Sequence, residues 1–132
     1  MIDPNQTEFW RMLDELVSRS ELVIDRPKGS SHPRYPAIVY AVDYGYLKET
    51  TAMDGGGIDV WRGTAARREL DAIICTVDLV KRDSEMKLLI GCTDREKTLI
   101  EQFHNQSQGM KGLLILRNRD TGDSPLEAAR RR

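Results

Sequence analysis

A chain of 132 residues with 39% hydrophobic side chains has room for one packed core and none for a second domain. Its 20 Lys and Arg offset 21 Asp and Glu, and the formal net charge of -1 excludes a general attraction to nucleic acid or anionic lipid, so any charged function is local. The longest apolar run is far shorter than a membrane span, and the chain opens with neither a basic stretch nor an apolar one; the expected address is cytoplasmic, with no membrane partner.

Phe9, Met12, Leu13, Leu16 and Val17 fall at the offsets that line one side of a helix, with Asp3 placed to cap it, Pro4 in its first turn and Gln6 able to reach back. Residues 21–25 turn to a short apolar strand. The following 26–33 hold two Pro and a Gly and read as a basic loop. Tyr and β-branched side chains over 35–46 predict one or two strands, with Gly45 a bulge or a close approach of backbones. Asp54-Gly55-Gly56-Gly57 is a turn by composition, and a strand restarts at Ile58.

Residues 70–80 and 86–91 predict two more strands, joined by a hairpin turn at Asp83-Ser84. Thr93-Asp94-Arg95-Glu96 has the form of a capping box, so a helix is expected from there through Leu99, Ile100 and Phe103 to the neighbourhood of Gly109. A last strand is expected over 112–117, and residues 118–132 form a polar tail, a frayed helix or disordered. Short strands flanked by two helices, without strand-helix alternation, argue for an α+β or mainly-β domain containing a small barrel.

The chemistry concentrates at Asp54 and Asp59. Two carboxylates bracket a glycine-rich turn that folds tightly enough to aim both at one point, as a hard, oxygen-seeking cation such as magnesium requires; a hairpin DG turn with one extra surface Asp is the plainer account of the same string. Cys75 and Cys92 lack the spacing of a zinc site and read as buried small residues, and Trp10 and Trp61 as core or subunit contacts. His32 reads as a solvated loop residue sooner than a phosphate contact, His104 as a helix-surface residue, and the Arg67-Arg68 pair and the three terminal arginines as solvated charge.

Three separated segments, 25–30, 40–60 and 85–88, together resemble the soluble family I inorganic pyrophosphatases. The most specific part runs from Tyr40 to Val60, where Tyr-x-x-x-Tyr-Gly-Tyr, a Thr at position 50 and Asp-Gly-x-x-x-Asp-Val follow the family pattern without a gap. The resemblance implies a five-stranded, OB-like β-barrel flanked by two helices, and hydrolysis of diphosphate to two phosphates with Mg2+, or Mn2+ in its place. It also implies a homo-oligomer. Carried over by position, Asp54, Asp59 and Glu85 stand for metal-binding carboxylates, with Asp25 supporting them; Arg34, Lys87 and Lys28 are phosphate-binding cations, and Tyr44 contacts the cleft. Asp54, Asp59, Tyr44 and Lys87 form the implied catalytic set, in which metal-activated water attacks phosphorus.

Departures from the pattern bear on activity. Gly56 stands where the family places an acid near the nucleophilic water, Pro36 where a carboxylate is expected, and Ser107 and Gln108 where a phosphate-holding Tyr-Lys pair belongs. Asp43 and Asp83 are the candidate replacements for the missing carboxylate from neighbouring loops. Loss of a general base costs 10²–10⁴-fold in rate. Two readings therefore compete: a diphosphate hydrolase, and a metal- and phosphate- or nucleotide-binding module of the same fold. A single-stranded nucleic-acid groove ranks last, because the charge is balanced and only 6% of residues are aromatic.

Overall fold

The computed structural model describes residues 3–118. Two helices, α1 (Pro4–Ser18) and α2 (Asp94–Phe103), accompany six strands: β1 (Leu22–Arg26), β2 (Asp43–Leu47), β3 (Ile58–Arg62), β4 (Leu70–Asp78), β5 (Asp83–Ile90) and β6 (Met110–Leu116). The fold is α+β. All six strands join one sheet in the order β1-β2-β3-β5-β4-β6, antiparallel except for the parallel β3–β5 pair. The sheet has six strands, where the resemblance implies a five-stranded barrel, and β6 forms its edge beside the nine-residue β4. Among the described residues no ladder joins β1 to β6, so the sheet does not close.

Period-two alternation along the strands builds two cores, one on each side of the sheet. Val60, Ile73, Leu88 and Ile90 pack with Trp10 and Leu13 of α1 on one side. Trp61, Ile74 and Leu89, one residue out of phase, pack with Tyr40, Tyr44 and Ile100 of α2 on the other. Leu70 and Ala72 belong to opposite cores although two residues apart, because a bulge at Asp71 shifts the β4–β5 register.

The helix phase of α1 differs from the sequence pattern. Trp10 and Leu13 are the buried residues, with Val17 packed against the same core, while Phe9 and Met12 are exposed. The large ring of Trp10 takes the central contact, and Phe9 meets it edge-on from outside. Asp3 caps the helix by accepting from the Asn5 N–H.

The strand expected over 35–46 reduces to Asp43–Leu47, and residues 27–41 form a loop folded on itself. Pro36 interrupts pairing, and Ser31 and Val39 meet in a single bridge, reinforced by hydrogen bonds from the His32 N–H to Ile38 and from the Tyr40 N–H to Ser30. The β4–β5 turn falls at 79–82 instead of 83–84: Asp78 pairs with Asp83, and Arg82 takes the left-handed conformation that closes the turn. The Thr93–Glu96 capping box forms as expected, and α2 ends at Phe103, short of Gly109. No helix among the described residues is long and apolar enough to cross a membrane. Apart from Asn118, the polar tail lies outside the described residues.

Candidate functional site

Glu85, Lys87 and Leu89 alternate onto the α2 side of the sheet, and the parallel β3–β5 register, Val60 opposite Leu88, sets Asp59 beside Lys87. The ammonium of Lys87 is buried. It donates to Tyr44 Oη, Asp59 Oδ2 and Glu85 Oε2, each at 2.8 Å, so its three hydrogens are all used. Burial opposes the charge, but the Tyr44 oxygen and the two carboxylates outweigh it and hold the lysine pKa above its ordinary value. Burial raises the Tyr44 phenol, which stays protonated through the physiological range.

These four side chains form part of the floor of an open cleft of about 520 Å³. Asp25, Arg34 and Asp54 also line it, so nearly every expected site residue meets there. Asp25 reaches the cleft because a bulge between Ile24 and Arg26 breaks the β1–β2 ladder at that residue. Gly45 lies opposite Ile24, where a Cβ would stand 1.8 Å from the Val23 carbonyl oxygen: it is the close approach, and the bulge belongs to β1. Asp54 turns one oxygen back to the Gly56 N–H at 2.9 Å. Lys28 does not line the cleft. Its N–H donates to Asp43 Oδ1, which ties the loop to β2, and Asp43 does not line the cleft either.

Arg26, His32 and Lys81 are cleft residues that the sequence reading did not select. His32 is half-buried; its Nδ1 accepts from the Arg34 and Tyr35 N–H groups, which orients the ring. Burial first, and then the charges of Arg26, Lys81 and Arg34, hold its pKa below the ordinary value. Among the described residues, Arg26, Arg34 and Lys81 form no salt bridge with a carboxylate, and Arg26 instead donates to the Tyr40 hydroxyl.

His104 is a correction. It is buried, at 3% exposure, because it caps the end of α2 against the sheet and its Nε2 accepts from the Trp61 indole N–H at 3.1 Å. Burial, followed by the charge of Lys87, pushes its pKa down to about 3. Both tryptophans are core residues, Cys92 is buried and Cys75 is half-buried.

The donor set does not fit a ready divalent centre. Magnesium demands near-octahedral oxygen ligation, but Asp59 and Glu85 share the Lys87 ammonium, Asp54 is engaged with its own turn, and no three acid, His or Cys side chains among the described residues group as ligands.

In the comparison with solved structures, an inorganic pyrophosphatase from Neisseria gonorrhoeae superimposes with a TM-score of 0.55 at 16% identity, covering 68% of this chain and 77% of that one. This chain has the fold of an inorganic pyrophosphatase. An inorganic pyrophosphatase from Helicobacter pylori matches with a TM-score of 0.49 at 16% identity, over 83% of this chain and 91% of that one. No family model matches the sequence, and no curated protein does.

Proposed function

We propose that the pyrophosphatase-fold cleft of this chain binds a small anion with linked phosphates, diphosphate being the simplest. The observation that carries this reading is the division of charge within the cleft. Asp59 and Glu85 are matched internally by Lys87, whereas Arg26, Arg34 and Lys81 form no salt bridge among the described residues and lie around His32, Arg26 with Asp25 as its charged neighbour. Two linked phosphates supply the acceptors such cations need, and Arg34 offers the planar fork that grips phosphate oxygens in pairs. Hydrogen bonds from the loop backbone to His32 hold that wall in place before any ligand arrives.

Hydrolysis is the second reading. It is favoured by the convergence of Asp25, Asp54, Asp59 and Glu85 on one cleft with Tyr44 and Lys87. Gly56 decides how far it extends. A Cβ there meets nothing closer than Asp54 Oδ1 at 3.4 Å, so Gly56→Asp fits and adds a carboxylate beside Asp54. Calorimetric titration with inorganic diphosphate tests the binding reading, which fails if no heat of binding is found at millimolar ligand.

Phosphate release measured with Mg2+ or Mn2+ separates the two. A silent wild type that gains turnover as Gly56→Asp identifies a binding protein that lacks one carboxylate. Turnover by wild type that disappears in Asp59→Ala identifies a hydrolase.

A further inference from the structure

A second cavity, of about 370 Å³, adjoins the cleft and shares Arg26, Lys81 and Lys87 with it. Diphosphate alone leaves this space unused. Its walls differ from those of the cleft: Ile38, Tyr40 and Phe103 add rings and apolar surface to the shared Tyr35, and Asp78, Asp83, Gln106 and Ser107 make its polar part. Tyr40 and Phe103 lie with centroids 5.3 Å apart, which forms a continuous aromatic wall. His104 is also a wall residue. With Nε2 accepting from Trp61 its proton resides on Nδ1, and that buried nitrogen has no partner.

We propose that the ligand is a nucleoside diphosphate, its phosphates in the cleft and its base in this second cavity. Three observations converge on that class. The volume suits a base and sugar, since pockets for small organic ligands begin near 300 Å³. Tyr35, which is exposed, and Phe103, which is half-buried, offer ring surface on which any base can stack, with the buried Tyr40 behind them. Arg26 and Lys81, the shared cations that form no salt bridge among the described residues, place the anionic end of such a molecule at the junction, so one ligand spans both spaces. The inference rests on the phosphate-binding reading of the cleft and goes beyond it by naming the organic part.

The test is calorimetric titration of the full chain with inorganic diphosphate, adenosine diphosphate and isopentenyl diphosphate. Adenosine diphosphate is expected to bind at least tenfold more tightly than either of the others. Ser107→Trp, an exposed change that fills the second cavity without touching the cleft, is expected to bring adenosine diphosphate down to the affinity of diphosphate while leaving the latter unchanged. Diphosphate binding with no gain from the nucleoside overturns this inference and leaves the phosphate site standing, whereas no binding of any of the three overturns both. An isopentenyl compound as tight as the nucleotide overturns the assignment to a base, and a nucleotide gain that Ser107→Trp does not reduce places the base elsewhere and overturns it too.

Discussion

Leu88 and Lys87 are consecutive residues of β5, both buried, and they face opposite sides of the same sheet. Leu88 enters a core of apolar side chains closed by the long α1, whereas Lys87 enters the floor of an open cleft, bonded to one phenol and two carboxylates. A sheet of this kind thus separates its tasks by parity. Both sides hold a hydrophobic core, and the α2 side carries the open cleft as well.

Substitutions at these neighbours sharpen the contrast. Leu88→Ala is expected to cost about 3 kcal/mol of stability in urea unfolding by leaving a cavity, with diphosphate affinity unchanged. Lys87→Met is expected to cost nearly as much, about 2–3 kcal/mol, for a different reason: it strands Asp59 and Glu85 without their counter-ion. The same variant frees two carboxylates, so Mg2+ is expected to raise its melting temperature while leaving that of wild type unmoved. A magnesium response equal in both proteins breaks the comparison.

Changes at the mouth should move binding without moving the fold. Arg34→Ala and Lys81→Ala are each expected to weaken diphosphate about tenfold, or about 1.4 kcal/mol, with unfolding midpoints unaltered, because both side chains are exposed. Bound diphosphate should also raise the His32 pKa, reversing the depression caused by burial and the neighbouring cations; a proton NMR titration with and without ligand measures it.

The smallest effect is a pH dependence at the far end of α2. His104 stays neutral in the folded chain down to about 3, while in the unfolded chain it titrates near its ordinary 6.5. As pH falls below 6.5 the unfolded chain gains a proton that the folded one refuses. Stability is therefore fully present above 6.5, and about 1 kcal/mol of it is lost between pH 6.5 and 5.5. Urea midpoints at pH 6.5 and 5.5 measure this slope, which His104→Gln should flatten.

How much was legible beforehand follows from the range of the interaction involved. Caps and turns are local, so Asp3 on α1 and the Thr93–Glu96 box on α2 were readable from a few residues. In α1 the expected stripe holds for Leu13 and Val17 and fails for Phe9 and Met12, because only the packed sheet selects the larger ring of Trp10 in their place. In the site, Asp54, Asp59, Glu85, Tyr44 and Lys87 were singled out by resemblance, and they do share one cleft. Arg26, His32 and Lys81 were not selected, since nothing in their neighbours along the chain marks a loop and a hairpin turn that meet in space. His104 was misplaced for the same reason: its partner, Trp61, lies forty-three residues away.

Alternation and punctuation in the sequence alone determined the helices, most of the strands and the glycine-rich acidic turn, because each depends on backbone geometry over a handful of residues. Which charges neutralise one another was decided only by the tertiary structure. The parallel register of β3 and β5 brings Lys87 between Asp59 and Glu85, and the energy of a charge depends on what stands within a few ångströms of it, not on its place along the chain.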